Sequence, residues 1–164
     1  MKWIKLTAFN LIFFALVIHL SSCEREFERQ KVYLYQKLGV VLSGAQETPA
    51  NASTALGLMD IFYNKDTKTL TYTVKWSGLT GAVTAMHIHG TAPIGFQASA
   101  TPYQVISPTG LGATGTKSGS IVVDNISIKE NDLLDGFYYL HIHTAAFPGT
   151  TAAHTAEIRG QIKF

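Results

Sequence analysis

From Val32 onward the apolar residues of this chain tend to fall at every second position, in short runs that stop at glycine, proline or small polar residues. Side chains of a strand alternate between its two faces, so such a run builds a sheet with one face on a core and cannot sit still as a helix. The clearest case is Leu70-Thr71-Tyr72-Thr73-Val74-Lys75-Trp76, with Leu70, Tyr72, Val74 and Trp76 expected inward. The turn Asn64-Lys65-Asp66-Thr67-Lys68 joins it to a strand over 56–63, as a hairpin. Further strands are expected over 37–43, 83–89, 103–106, 120–124, 137–144 and 156–164. Ser127-Ile128-Lys129-Glu130 reads as a capping box opening a short helix through Leu134, stopped at Gly136. The expected fold is therefore all-β: an antiparallel Greek-key β-sandwich, immunoglobulin-like, with one short helix.

The first residues have a different character. Lys2 and Lys5 precede an apolar stretch from Leu6 to Leu20, and Ser21-Ser22-Cys23 follows. A basic head, a short apolar centre and small residues make a secretory signal, too short to span a bilayer. Its ending resembles the lipobox of bacterial lipoproteins, with Cys23, the only cysteine, as the lipidated residue. Residues 1–22 are thus expected to be a lipoprotein signal peptide, 23–36 an acylated tether carrying the charged run Glu24–Lys31, and 37–164 the folded domain. The expected location is the bacterial cell envelope, lipid-anchored, at the outer membrane or cell surface in preference to the inner membrane.

Charge and cysteine content narrow the function. The precursor carries 13 basic against 11 acidic residues; loss of Lys2 and Lys5 leaves an even balance. A neutral domain has no electrostatic case for nucleic acid. Acylation of Cys23 would leave no thiol for a disulfide or for nucleophilic chemistry. Gly110-Leu111-Gly112-Ala113-Thr114-Gly115 matches the spaced glycines of dinucleotide sites but lacks the strand before and the helix after that such a site requires. No Ser-His-Asp grouping or nucleophile elbow is defensible, and the expectation is a protein that is not an enzyme.

Four of the six histidines stand as two pairs, His87-Ile88-His89 and His141-Ile142-His143. Each pair lies in an expected strand, so both of its imidazoles share a face. Two readings stay open. If the strands are neighbours, His87, His89, His141 and His143 could converge on Zn or Cu, which neutral imidazole ligates well. Otherwise they hydrogen-bond loops or pack beside Phe137 and Tyr139. Glu157, on the polar side of the last strand, could ligate the ion or orient a ring, and Glu157 with Arg159 could form a solvated structural pair with each other or a cross-strand partner, or rim a ligand site with Gln161. Glu47, beside Pro49, reads as a loop carboxylate bonded to backbone.

The chain from about Lys37 to Phe164 resembles the CHRD family, the domain repeated in chordin and found alone in many bacterial secreted proteins. The resemblance runs, in order, through Leu42-Ser43-Gly44-Ala45-Gln46-Glu47-Thr48-Pro49, Gly57, Ser77-Gly78-Leu79, His87-Ile88-His89-Gly90, Gly136-Phe137-Tyr138-Tyr139, Ile142-His143-Thr144 and Glu157-Ile158-Arg159-Gly160-Gln161. Two places depart from it: His141 stands where the family usually has asparagine, and Thr91-Ala92-Pro93-Ile94-Gly95 replaces a Gly-Pro loop. The resemblance implies an immunoglobulin-like β-barrel and no established activity. The run from Gly78 to His89 also looks like the histidine-pair segment of copper-zinc superoxide dismutase, whose other ligands and disulfide have no counterpart here. The function expected first is a membrane-anchored envelope lipoprotein with a non-enzymatic binding or scaffolding domain. Its partner would be an extracytoplasmic protein or small ligand, with the membrane reached through the lipid. The alternative is a histidine-rich copper- or zinc-binding, or redox, module.

Overall fold

Among the described residues, eight strands make up the fold: β1 Leu34–Ser43, β2 Leu56–Asn64, β3 Thr69–Ser77, β4 Val83–His89, β5 Gln104–Ile106, β6 Gly115–Val122, β7 Tyr138–Thr144 and β8 Ile158–Ile162. The structure, a computed structural model, describes residues 33–99, 101–149 and 156–164. The leader, Cys23 and the run Glu24–Lys31 lie outside the described residues. Leu34–Phe164 forms one compact unit, and β1 begins inside the segment read as tether.

The strands form one sheet in the order β5-β4-β7-β8-β1-β2-β3-β6, and every ladder between neighbours is antiparallel. This bears out the all-β antiparallel class. The sheet is a nearly closed, barrel-like one, and the finer Greek-key and immunoglobulin-like labels are not carried by that order. The two edges are latched by side chains: Tyr72 Oη donates to Gln104 Oε1 over 3.0 Å, and Gln104 Nε2 donates to Ser120 O over 3.1 Å. Closing an edge this way limits the unpaired backbone it presents to other chains.

Period-2 alternation sorts the faces as expected. Leu70, Tyr72, Val74 and Trp76 of β3 enter the core with Leu42, Met59, Ile61, Met86, Ile88, Leu140, Ile142, Ile158 and Ile162. Two glycines of β6 exist for close approach. A Cβ at Gly115 would lie 2.6 Å from the Trp76 ring, and one at Gly119 would overlap the Tyr72 hydroxyl. Gly115 is one of the spaced glycines of the dinucleotide-like run. It makes room for an aromatic side chain, and β6 begins earlier than the apolar pattern alone suggests because Thr116, Ser118 and Ser120 pair with β3 on a polar face.

The short helix α1 spans Glu130–Leu134 and ends at Gly136, whose φ of +79° suits glycine. The capping box does not form: the N-cap is Lys129, without a side-chain cap bond. Asp124 Oδ1 accepts instead from the N–H groups of Ile126, Ser127 and Ile128. Glu130 turns away from the helix start because cations claim it. Its Oε2 accepts from Tyr63 Oη and Lys68 Nζ, each at 2.6 Å, and Lys65 Nζ sits 3.0 Å from Oε1.

Those donors, Lys68 first and then Tyr63, hold the Glu130 carboxyl down at about 2 against the opposing effect of burial. A folded value below the ordinary 4.5 means that its stabilisation is fully present above about pH 4.5 and is lost as pH falls through about 2. Glu130→Gln should therefore destabilise the fold by about 1–2 kcal/mol at neutral pH, after allowance for solvent screening. Denaturant melts of both forms across the acid range should show the difference shrinking toward pH 2. A difference that persists at pH 2 contradicts this role.

Candidate functional site

β4 and β7 are neighbours, and their register sets the site. His87 lies opposite His141, Ala85 opposite His143 and His89 opposite Tyr139. With Met86, Ile88, Leu140 and Ile142 in the core, the four histidines stand together on the outer face. His89, His141 and His143 are buried, and His87 is half-buried. Ring centroids lie 4.4 Å apart for His141 and His143, 4.7 Å for His89 and His141, 5.3 Å for His87 and His143, and 5.6 Å for His87 and His141. His87, His89 and His141 each offer a ligand nitrogen, all within 4.8 Å of one another. His143 joins through His141, their Nε2 atoms 3.2 Å apart. The pairs do meet.

Backbone carbonyls from the covering loops fix the outer rings. His89 Nδ1 bonds Ser99 O at 3.0 Å, and His143 Nδ1 bonds Phe147 O at 3.2 Å. A carbonyl only accepts, so each Nδ1 carries the proton and the Nε2 of each neutral ring keeps a lone pair. His89 stacks on Tyr139, at an interplanar angle of 14°. His141 is the deepest of the group, fully enclosed. Burial first, then its histidine neighbours and Arg159, push its pKa well below the ordinary value. It is neutral at physiological pH, which is the ligating form.

β8 continues this face beyond β7, with Arg159 opposite His141 and Gln161 opposite Tyr139. Its polar side is buried, not solvated. Arg159 does not form a solvated pair with Glu157. Its guanidinium lies 3.5 Å from the centre of the Tyr139 ring, and it donates to Phe96 O and Gln161 Oε1, each at 2.9 Å. Gln161 Nε2 in turn donates to Ala92 O and Gly136 O. Tyr139 Oη accepts from the Ala98 N–H at 3.2 Å. The polar residues of β7 and β8 thus hold down the loop over 92–99 by its backbone, while Ile94 and Phe96 of that loop face solvent.

Glu157 has a separate task. Its carboxylate accepts from Ser53 Oγ, Thr80 N, Thr80 Oγ1 and Thr144 Oγ1, at 2.6–2.9 Å. Burial opposes its charge, and these donors outweigh burial and hold its pKa below the ordinary range. The carboxylate beside the histidines is Glu47. Its Oε1 lies 3.8 Å from His141 Nδ1, too far for a hydrogen bond, and neither atom has a hydrogen-bond partner among the described residues. Burial pushes Glu47 up to about 7, although Ala156 and Thr48 N–H groups and the charge of Arg159 all pull it down. Its approach to His141 was not expected from sequence. The available signal was its place in the Gly44–Pro49 loop, pinned where Asn51 Nδ2 reaches Ala156 O and Glu157 O beside β8.

The model of the CHRD domain family matches residues 38–162 of the chain. No curated protein and no solved structure matches the chain.

Proposed function

The chain belongs to the CHRD family, and on that premise we propose that it is a lipid-tethered extracytoplasmic binding domain whose ligand is a copper or zinc ion. The observation that carries the metal reading is the convergence of His87, His89 and His141, with His143 against His141. The donor set is imidazole alone, which suits Zn and Cu and lacks the oxygen ligands of Mg and Ca sites. Two nitrogens at 2.0–2.1 Å from a tetrahedral ion stand about 3.3 Å apart. The Nε2 atoms of His141 and His143 are already 3.2 Å apart.

A purely structural network explains less. With Glu47 ionised it leaves His141 Nδ1 and Glu47 Oε1 buried with no hydrogen bond among the described residues, at a cost of about 1–3 kcal/mol each. A metal would use the same neutral rings without new charge repulsion inside the cluster, except from Arg159. That cation is partly offset by Glu47 and by the Tyr139 ring. The role proposed is binding, by a domain of a family that is not one of enzymes.

The tether rests on the leader and on Cys23. Among the described residues no helix is long and apolar enough to cross a membrane. Attachment by acylated Cys23 would keep the domain at a membrane surface.

Two measurements test these readings. The full-length chain purified without chelator should carry about one equivalent of zinc or copper by elemental analysis. His87→Ala, which alters the most accessible ligand, and the double variant His89→Ala/His141→Ala should lose most of it while keeping their β-sheet circular dichroism. Equal metal content in all three would end the proposal. Separately, Cys23→Ala should move the protein from the membrane to the soluble fraction, and unchanged fractionation would refute the anchor.

A further inference from the structure

We infer that Glu47 is a positioning residue for the metal site: its carboxylate holds His141 in the tautomer that presents Nε2 to the ion. The inference rests on the metal reading given above and adds a specific proton position to it.

His143 Nδ1 donates to Phe147 O, so the Nε2 of a neutral His143 holds a lone pair. The short contact between the two Nε2 atoms then needs a proton from His141, as Nε2–H donating to His143 Nε2. A neutral imidazole has one N–H. His141 Nδ1 is therefore a lone pair, and it faces the unpartnered Oε1 of Glu47. With Glu47 ionised, its Oε1 and this lone pair are two acceptors across 3.8 Å, and no hydrogen bond joins them.

A metal ion on His141 Nε2 changes this. The proton can no longer sit on Nε2 and moves to Nδ1. An Nδ1–H opposite a carboxylate oxygen forms a charge-assisted bond of about 2.7–2.9 Å, so the pair closes by about 1 Å. Both buried orphans are satisfied in one step. A carboxylate behind a ligating histidine fixes the ring and raises its basicity. Glu47 is built for that place. Its carboxylate also accepts from the backbone N–H groups of Thr48 and Ala156, and Gln97 Nε2 donates to Thr48 O, tying the loop of Glu47 to the loop over 92–99. Glu157 cannot substitute, because its oxygens are engaged by Ser53, Thr80 and Thr144.

The test uses the full-length chain, zinc titration by competition with a chelating dye, and ¹⁵N NMR of the histidine rings. Zinc affinity should fall about 10- to 100-fold in Glu47→Ala, and by less in Glu47→Gln, whose amide oxygen still accepts from Nδ1–H. The His141 resonances should show Nε2–H in the metal-free protein and Nδ1–H in the zinc-loaded one. In Glu47→Ala the Nδ1–H signal should lose its strongly hydrogen-bonded shift. A tautomer change is a readout that a merely structural loop residue would leave alone. Equal affinity in the wild type and both variants overturns the role of Glu47 alone, as does an Nε2–H that persists with zinc bound. No zinc uptake by the wild type overturns the metal reading and this inference together.

Discussion

The register between β4 and β7 is the constraint on which the site depends. His87 faces His141 only because Met86, Ile88, Leu140 and Ile142 are all in the core. A slip of one residue would send those four side chains outward and bury the imidazoles among hydrocarbon. Fully burying an aliphatic side chain is worth about 1.5–3 kcal/mol, so the penalty for a slip is several times the strength of any single polar contact in the site. Hydrophobic burial on one face therefore positions the chemistry on the other. The isoleucine at the centre of each His-Ile-His triplet does the positioning.

The outer face of β7 and β8 is also enclosed. Every residue of both strands is buried. A sheet covered on both sides usually carries aliphatic residues throughout. Here the second layer is polar and is satisfied from above by loop backbone: Ser99 O, Phe147 O, Phe96 O and Ala92 O each accept from a ring, guanidinium or amide of the sheet. Such a layer positions groups more tightly than solvent-facing side chains would, since a buried donor that loses its acceptor is left costly and unpaired. Glu157 clamps one end of this layer, and Arg159 with Gln161 holds the other. Between them His141 is kept neutral and the four rings are kept close.

Much of the fold was legible in the chain. The alternation in Leu70–Trp76 and in the two histidine runs gave the strands and their faces, because period-2 patterns leave little choice once one face must be buried. Gly136 marked the end of α1. Four things were not legible. The start of β6 was hidden because Gly115–Ser120 is small and polar and is made a strand by its partner β3. The capping box failed because Lys65, Lys68 and Tyr63 compete for Glu130 across a long sequence separation. The polar side of β8 looked solvent-facing because a local pattern cannot show that distant loops cover it. Glu47 was hidden for the same reason: only the path of its loop brings it to His141.

The central claim is that the outer face of β4 and β7 is a histidine metal centre, and X-ray absorption on the metal-loaded full-length chain addresses it most directly. The account predicts three or four nitrogen scatterers at about 2.0 Å, with the outer-shell scattering of imidazole rings and without sulfur. A first shell of oxygens lacking the imidazole signature would place the ion elsewhere on the protein and contradict the account.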